Sequence, residues 1–410
     1  MRFHVLALPH TVTSKAYSAC AFTQKVLKFC DMMHARGHVI YHYGHERSEV
    51  QCFEHISVMN DTVLDKTYGL QDWHSKSFEH NVTDAAHVYF NIKATEEVAK
   101  RKQRGDFLLM FWGSGHEHVG RTHSRDMIVV EPGIGSFNNI VAPFCIFESY
   151  AVMHYIYGKY NIMPRFMDSV IPNYFDPADF VGPTESIDDF VTRNQRDTLK
   201  GSLTLEDAKK CLGQKYILMI CRIIPMKGIQ VAVEACKKAG IKLIIAGQGK
   251  LSDALNATTV YTTSSSIEDD VEVVHVGYVE PRERAILLHG CKALIAPTMY
   301  NEPFGGVNVE AQMSGKPVIT TDWGGFSETV IHGVTGYRCR TMEQFTWAIN
   351  NVEHLDTSKI REWASNYSLS KIATMYEEYF SMISSIMDDK GFYAERPQRL
   401  SLKWLEKKYV

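Results

Sequence analysis

Short apolar runs alternate with amphipathic stretches along most of the chain. In the second half, the apolar runs predict strands at residues 216–221, 242–246, 271–276, 293–297 and 317–321. Apolar positions at helical spacing between these runs predict helices at residues 229–239, 282–289, 307–314 and 326–331. Strands that alternate with helices in this way are typical of a parallel sheet covered by helices.

The first half of the chain shows the same pattern with less contrast. Apolar runs predict strands at residues 3–8, 38–43, 106–112 and 127–131. An apolar stripe predicts a helix at residues 17–35, and a second long helix is predicted at residues 369–387. Since 410 residues exceed one ordinary core, we expect two α/β domains, at residues 1–182 and 213–345, with the polar stretch 183–214 between them.

Composition narrows the class of protein. The formal net charge is −3, so no basic field indicates nucleic acid as a partner. No apolar run reaches the ~18–20 residues that span a bilayer, and the apolar start of the chain is too short for the core of a signal peptide. The nine cysteines are scattered and none forms a C-x-x-C pair, which favours a reduced, cytoplasmic setting without structural zinc.

The first candidate site follows the strand predicted at residues 216–221. Arg222 stands at the end of that strand, and Lys227-Gly228 follows five residues later, where a helix is predicted to begin. Two cations beside the free amides of a helix start form a site for a diphosphate. The alternative is two solvated charges on an ordinary loop.

The second candidate site follows the strand predicted at residues 293–297. A short loop presents Glu302, the pair Gly305-Gly306 opens a helix, and Glu310 lies on the first turn of that helix. Because a carboxylate accepts from two hydroxyl groups at once, the two glutamates are typical of hydroxyl recognition. The alternatives are an exposed loop acid and a first-turn acid that the helix dipole favours, but neither explains a glycine pair at a helix start.

These motifs resemble the retaining glycosyltransferases of family 4, which have the GT-B fold. The resemblance rests on Glu302 and Glu310 at E-x7-E spacing together with the loop of Arg222 and Lys227. Further segments are similar to the family in the same order, namely 36–39, 170–177, 246–249, 315–319, 324–328 and 332–336. The implied architecture is two Rossmann-like, doubly wound parallel-sheet domains with a cleft between them, and a C-terminal helix, about 369–388, that packs back on the first domain.

The resemblance also implies a role for each site residue. Arg222 and Lys227 would neutralise the donor diphosphate, Glu310 would hold the ribose hydroxyls, and Glu302 would bind a hydroxyl of the transferred sugar. The backbone around Phe304, Gly305, Gly306, Val307 and Asn308 would contact the sugar and the distal phosphate. The nucleobase would lie near Gly247, Gln248, Gly249, Tyr278 and Val279. Since no Asp-x-Asp triplet occurs in the chain, we expect neither a metal nor another cofactor.

The first half gives weaker indications of acceptor residues. His116 and His118 follow the strand predicted at residues 106–112 and are candidates for contacting the sugar. Their His-x-His spacing also suggests a metal site, and ordinary loop histidines are the third interpretation. A second loop, residues 131–136, is expected to follow a strand and to shape the acceptor pocket. The sequence departs from the family at Cys221, where glycine is usual, and at residues 9–15, where a glycine-rich loop is usual.

Together with the candidate sites, the resemblance therefore implies a metal-independent, retaining hexosyltransferase. The expected donor is GDP-mannose or a UDP-hexose, and the expected acceptor is a glycan or another hydroxyl compound, with no nucleic acid partner and an undefined oligomeric state. Two rival functions remain open. A nucleotide-sugar epimerase or hydrolase of the same fold would use His116 or His118 as a base, and a non-catalytic nucleotide-sugar-binding protein would need the binding residues alone.

Overall fold

A computed structural model describes residues 1–69, 80–180, 215–255, 266–268 and 271–387. The described residues divide into two compact units. Unit 1 contains residues 1–69, 80–174 and 367–387. Unit 2 contains residues 175–180, 215–255, 266–268 and 271–366. The polar stretch predicted at residues 183–214 lies outside the described residues.

Unit 1 is built on a seven-stranded sheet in which every neighbouring pair of strands is parallel. Its strands are β1 (Arg2–Leu6), β2 (Val39–His45), β3 (Glu54–Met59), β4 (Phe107–Met110), β5 (Ile128–Ile134), β6 (Phe144–Phe147) and β7 (Ser169–Val170). The spatial order is β3-β2-β1-β4-β5-β6-β7. The order reverses direction at β1, which is the topology of a doubly wound α/β sheet.

Unit 2 repeats this topology. Its strands are β8 (Tyr216–Ile220), β9 (Lys242–Ala246), β10 (Ser266–Glu268), β11 (Val271–His275), β12 (Ala293–Ala296), β13 (Val318–Thr321) and β14 (Gly336–Cys339). The spatial order is β10-β11-β9-β8-β12-β13-β14, and β10 pairs antiparallel with β11 at the edge. The other six strands are parallel and reverse their order at β8.

Twelve α-helices are present in the described part of the chain. They are α1 (Ala21–Ala35), α2 (Asp61–Tyr68), α3 (Ala85–Arg101), α4 (Glu117–His123), α5 (Tyr150–Tyr160), α6 (Ile229–Ala239), α7 (Pro281–Gly290), α8 (Gly306–Met313), α9 (Phe326–Thr329), α10 (Met342–Asn351), α11 (Thr357–Ala364) and α12 (Leu369–Met387). Helices α1 to α5 and α12 belong to unit 1, and the others belong to unit 2.

The final helix, α12, is part of the core of unit 1. Phe380 packs its ring against Phe3 of β1 and Phe107 of β4, with centroids 4.8 and 4.9 Å apart. At the rim of the same contact, Glu377 accepts from His38 Nε2 at 2.8 Å and forms an ion pair with Arg36. The apolar face of α12 therefore covers the sheet, and an ionic contact fixes one side of the helix.

These two sheets confirm the predicted fold class of two Rossmann-like, doubly wound α/β domains. Several element boundaries differ from the prediction. The first helix begins at Ala21 rather than at residue 17, and the predicted strand at 106–112 ends at Met110. The loop predicted at residues 131–136 is wrong for most of its length, because β5 continues to Ile134 and remains buried throughout. Continued pairing of β5 with β6 keeps Ile134 in the sheet.

Candidate active site

The carboxyl ends of the parallel strands in unit 2 bring together the residues that the sequence predicted. Arg222 follows β8, and Lys227 ends a short 3-10 turn at Pro225–Lys227 just before α6. Glu302 lies in the loop after β12, and Glu310 lies on α8. Ligands of doubly wound sheets bind at this edge, where the strand order reverses, which here is at β8.

Close backbone contacts hold the loops of this edge together. The N–H of Cys221 donates to Ala246 O at 3.0 Å, and that of Ile223 donates to Gln248 O at 2.8 Å. Gly247 has φ +148°, and a Cβ atom there would overlap with the carbonyl oxygen of Cys221. Only glycine therefore allows the turn after β9 to pack against the Arg222 loop.

A second glycine pair fixes the backbone of the Glu302 loop. Gly325 N–H donates to Glu302 O at 2.7 Å, and a Cβ on Gly324, which has φ +63°, would lie 2.7 Å from the same oxygen. The indole N–H of Trp323 donates to Tyr300 O at 3.1 Å. Residues 324–328, one of the segments similar to the family, thus support the backbone of Glu302.

Lys227 and Glu302 form an ion pair. Lys227 Nζ lies 2.7 Å from Glu302 Oε2 and also donates to the hydroxyl of Tyr300 at 2.7 Å. Both charged side chains are more than four-fifths buried. Burial by itself lowers the pKa of Lys227, but the carboxylate of Glu302 and the phenol of Tyr300 outweigh it, and the net pKa is raised. Lys227 is therefore a permanent cation, and its charge is balanced inside the protein.

Glu310 is paired with Arg284, a residue of α7. Arg284 Nη1 lies 3.1 Å from each of the two carboxylate oxygens of Glu310. The nearby charge of Glu310 is the main cause that raises the pKa of Arg284. Arg284 was not among the predicted site residues, because it lies within a predicted amphipathic helix and belongs to no motif. The available signal was an arginine among the helix positions that face the sheet edge.

Arg222 differs from these two cations because it is exposed and its guanidinium has no hydrogen-bond or ion-pair partner among the described residues. The neighbouring Cys221 occupies the position where the family usually has glycine. Burial raises the pKa of the Cys221 thiol to about 12, so the sulfur is a neutral, packed group. Arg222 is thus the predicted site cation that is free to bind an anion.

Helix α8 begins at the glycine pair, as the sequence predicted. Gly305 has φ +80° and precedes the first helical residue, Gly306. Phe304 is buried and Val307 is partly exposed. Asn308 is fully buried, and neither polar atom of its side chain has a hydrogen-bond partner within the described structure.

The residues predicted to surround the nucleobase lie at the neighbouring strand ends. Gly247, Gln248 and Gly249 form the turn after β9, and Gly247 N–H donates to Gly277 O at 2.7 Å. Tyr278 and Val279, which follow β11, are both buried. The turn after β9 and the loop after β11 are therefore joined directly through their backbones.

In unit 1, the two candidate histidines have different surroundings. His116 is fully buried in a 3-10 turn, its Nε2 lies 2.9 Å from Ala7 O, and its Nδ1 accepts from Trp112 N–H at 3.3 Å. Burial lowers the pKa of His116 to about 3, so the ring is neutral. Both nitrogens of His116 are used within the protein, which corrects the expectation that this ring faces a substrate. His118 is exposed on α4.

The described residues contain one group of side chains close enough to share a metal ion, formed by His45, Glu46 and Asp61 in unit 1. It does not include His116 or His118. Asp61 already accepts from Arg47 at 2.6 Å, and Glu46 accepts from the N–H of Asp61 at 3.2 Å. No helix among the described residues is both long and apolar enough to cross a bilayer.

The second half of the chain is similar to known glycosyltransferases. Residues 205–369 match the family model "Glycosyl transferases group 1". A lipopolysaccharide 1,2-N-acetylglucosaminetransferase of Salmonella typhimurium is 27% identical over 235 residues, which are 53% of this chain and 57% of that protein. A glycogen synthase of Mycobacterium tuberculosis is 32% identical over 133 residues, which are 31% of this chain and 30% of that protein. The chain thus matches between about a third and three fifths of these relatives.

Solved structures of similar fold cover nearly the whole chain. AviGT4, a glycosyltransferase involved in avilamycin A biosynthesis, aligns with a TM-score of 0.61 at 16% identity and covers 94% of this chain and 98% of its own. Anabaena Alr3699/HepE, solved in complex with UDP and glucose, aligns with a TM-score of 0.60 at 14% identity and covers 93% of this chain and all of its own. At these identities the likeness establishes the GT-B fold.

Proposed function

We propose that this chain, whose residues 205–369 carry a group 1 glycosyltransferase domain, transfers a hexose from a nucleotide-diphosphate sugar to a hydroxyl acceptor with retention of configuration. The observation that carries the proposal is the arrangement at the carboxyl edge of the second sheet. Arg222 is a cation there without a partner among the described residues, the start of α8 opens at Gly305-Gly306, and two carboxylates, Glu302 and Glu310, are each held by a cation.

The diphosphate of the donor would bind to Arg222 and to the first amides of α8. Backbone N–H groups at a helix start bind anions through direct hydrogen bonds and through the helix dipole. Lys227 would contribute to the same site, and its ion pair with Glu302 gives it a fixed position before the donor arrives. Each charge-assisted contact to the phosphate would contribute about 1.5–3 kcal/mol.

The sugar of the donor would contact Glu302, and the ribose would contact Glu310. Glu302 Oε2 accepts from Lys227, and the carboxylate has further lone pairs with which it would accept from a sugar hydroxyl. Glu302 and Lys227 would in this way link the sugar to the phosphate that leaves. The bond between the anomeric carbon and the phosphate oxygen breaks while the acceptor oxygen bonds to the same face of that carbon, and the leaving phosphate takes the acceptor proton.

Cations and amides would stabilise the charge that builds on the leaving phosphate, so we propose that the reaction needs no metal ion. We propose a UDP-hexose or GDP-mannose as donor. UDP and glucose are bound by the Anabaena protein of the same fold, and the Salmonella relative is named as an N-acetylglucosaminetransferase, so UDP-linked sugars come first in the test. We propose that unit 1 receives the acceptor, a glycan or another hydroxyl compound, and that the exposed His118 is one of the residues that contact it.

The test is a calorimetric titration of the full chain with UDP, GDP and a panel of their sugars, followed by turnover assays with and without a chelator. We expect one nucleotide to bind and its sugar to be consumed without added metal. Absence of binding to every nucleotide would refute the proposal. Free sugar or an epimerised donor in the absence of an acceptor would favour the hydrolase or epimerase, and activity that manganese restores after chelation would overturn the metal-independent mechanism.

A further inference from the structure

We infer that a basic pocket at the amino edge of the unit 1 sheet binds a phosphate monoester. The pocket has a volume of about 340 Å³. Five residues line it and define the basic pocket: Lys102, Gln103, Arg104, Arg125 and Asp126. The inference rests on residues of unit 1 alone, so it is independent of the proposed function.

The basic pocket lies where two neighbouring strands begin. Residues 102–106 precede β4, and residues 124–127 precede β5. Since these strands are parallel, the loops that follow them, including the turn of His116, lie at the opposite edge of the sheet. Ligands of doubly wound sheets bind at that carboxyl edge. A ligand in the basic pocket would therefore occupy a second site, away from that edge.

The backbone on both sides of the basic pocket is fixed by hydrogen bonds. Gly105 N–H donates to Asp126 O at 3.0 Å, and Ile128 N–H donates to Asp106 O at 2.9 Å. The carboxylate of Asp106 in turn accepts from Gln103 N–H at 2.9 Å. The two turns that carry the cations are thus held at a fixed spacing before a ligand binds, and less conformational freedom is lost on binding.

The charges that line the basic pocket favour an anion with two negative charges. Three cations and one carboxylate leave a formal excess of two positive charges there, although the whole chain has a formal net charge of −3. A phosphate monoester carries about −1.5 to −2 charges at pH 7. Its charge therefore matches that of the pocket, and a neutral ligand would leave the excess uncompensated.

Two arginines of the basic pocket differ from their neighbours along the chain. Arg101 and Arg121, which lie outside the pocket, each pair with a glutamate on their own helix. Arg104 and Arg125 are exposed, and neither has a hydrogen-bond or ion-pair partner among the described residues. A guanidinium group presents a planar fork of donors that fits two phosphate oxygens. The two arginines are therefore the main ligands that we assign to the phosphate.

Lys102 is the third cation and is held by Asp126. Its ammonium group donates to the Asp126 carboxylate, and this hydrogen bond is the main cause that lowers the pKa of Asp126. An ammonium group has three donors, so further donors remain for a phosphate oxygen. Asp126 is the one acid among the five residues, and its charge opposes an anion. Loss of that charge should therefore strengthen the binding of an anion, whereas it would weaken the binding of a metal ion.

The ligand of the basic pocket is held by charge rather than by apolar contact. None of the five described residues that line the pocket is apolar, whereas most ligand pockets have predominantly apolar walls. The volume lies at the lower end of the roughly 300–1,000 Å³ that ligand pockets occupy, which suits a phosphate group with a small organic body. The same phosphate chemistry occurs in soluble metabolites and in the headgroup of phosphatidic acid, so the experiment needs a probe for each source.

The experiment titrates glycerol 3-phosphate by calorimetry and measures co-sedimentation with phosphatidylcholine vesicles that contain phosphatidic acid. Both use the full chain with Arg222→Ala, which removes the unpaired cation of the proposed diphosphate site. We expect Arg104→Ala combined with Arg125→Ala to lower the affinity for at least one probe about tenfold or more. Asp126→Asn should raise that affinity about two- to fivefold, because it removes a like charge while its amide oxygen can still accept from Lys102.

Arg121→Ala is the matched control, since it removes an exposed arginine from the same region whose charge is already paired. It should bind each probe as the parent chain does. Loss of glycerol 3-phosphate binding in the double variant assigns a soluble ligand, and the same loss with vesicles alone assigns a lipid headgroup. Unchanged binding by the double variant, weaker binding by Asp126→Asn, or no binding of either probe by the parent chain would overturn the inference while the proposed function stands.

Discussion

The two units share the order of six parallel strands, β3-β2-β1-β4-β5-β6 in unit 1 and β11-β9-β8-β12-β13-β14 in unit 2, but they differ in how they hold titratable and charged side chains. Unit 1 holds many histidines that burial keeps neutral: the pKa is lowered for His10, His42, His45, His55, His116 and His123. In unit 2 the same effect occurs at His275 and His289. Unit 2 instead places two ion pairs, Lys227–Glu302 and Arg284–Glu310, at the edge of its sheet.

Unit 1 also contains a buried ion pair, and the contrast with unit 2 is instructive. Lys25 and Glu148 are only 3% and 6% exposed, and Lys25 Nζ further donates to Gly133 O at 2.9 Å. That pair is closed off from solvent, whereas the pairs of unit 2 keep 13–19% exposure. The same fold can thus use buried charge for structure in one unit and keep it within reach of a ligand in the other, which is why the site rather than the fold carries the function.

The largest effect is expected from the close backbone contacts that build the edge of unit 2. Gly247→Ala should lower the free energy of unfolding by about 4 kcal/mol or more, because its Cβ would overlap with Cys221 O at a backbone angle that alanine avoids. Gly240→Ala, which has a positive φ but open space around it, should cost only about 1 kcal/mol. Urea denaturation with hydrogen-exchange mass spectrometry would assign each loss to a unit, and similar losses in the two variants would contradict the packing argument.

The next largest effect is a loss of stability at acid pH, which we expect in unit 1. The pKa values of the buried His42 and His116 are lowered to about 3, whereas the unfolded chain takes up these protons near pH 6.5. The unfolded state therefore binds more protons as the pH falls below 6.5, and stability decreases. Each of these histidines should remove ~2 kcal/mol from unit 1 at pH 5 relative to pH 8. Hydrogen exchange at the two pH values should show unit 1 opening first, and earlier opening of unit 2 would break the comparison.

The carboxylate of Glu131 in unit 1 should partly offset this loss of stability at acid pH, so its replacement serves as a control. Burial raises the pKa of Glu131 in β5 to about 7, so the native state takes up a proton at acid pH before the unfolded chain does. That uptake stabilises unit 1 as the pH falls from 7 towards 4.5. Glu131→Gln removes the offset while its amide oxygen can still accept from Val141 N–H, so the variant should lose stability more steeply with acid than the wild type.

A smaller effect is expected at the proposed diphosphate site of unit 2. Arg222→Ala should weaken nucleotide binding by about 1.5–3 kcal/mol, or roughly tenfold or more, with little change in stability, since Arg222 has no partner among the described residues. Lys227→Ala should weaken binding similarly and also destabilise the unit, because Glu302 then keeps an unpaired buried charge. Lys238→Ala, an exposed lysine at the far end of α6, is the matched control. Unchanged nucleotide affinity in both site variants would remove the assignment.

The two units also differ in how much the sequence predicts. In unit 2 the predicted helices at residues 229–239 and 307–314 match α6 and lie within one residue of α8, since apolar runs and glycine breaks mark their ends. In unit 1 the prediction omitted α3, a 17-residue helix that starts at an aspartate cap, Asp84. Its many polar residues and mixed periodicity hide the apolar face, and only tertiary packing shows which side is buried.

The residues of the candidate site were also predicted only in part. Local motifs found Arg222, Lys227, Glu302 and Glu310, because each follows a strand or opens a helix within a short segment. Tyr300 and Arg284 were not predicted as site residues, since their partners are set by pairing between distant segments: Arg284 is 26 residues from Glu310, and Lys227 is 73 residues from Tyr300. His116 was predicted from its place after a strand, but position along a chain does not determine whether a ring points outward or into the core.

The smallest effect, and the sharpest test of the comparison within unit 2, separates its two glutamates. Glu310→Gln should weaken bare nucleotide diphosphate and intact donor alike, because the ribose belongs to both. Glu302→Gln should leave the affinity for bare nucleotide unchanged, since the glutamine still permits Lys227 to face the diphosphate and no sugar is present to lose a contact. We expect Glu302→Gln to lower kcat with the intact donor. An interaction that tightens as the sugar becomes cationic stabilises the transition state more than the ground state. Titration of both variants with nucleotide and with donor measures the two affinities, and turnover assays measure kcat. Equal losses of bare-nucleotide affinity would mean that the two ion pairs do not divide sugar from ribose, and that Glu302 and Glu310 both belong to the nucleotide subsite.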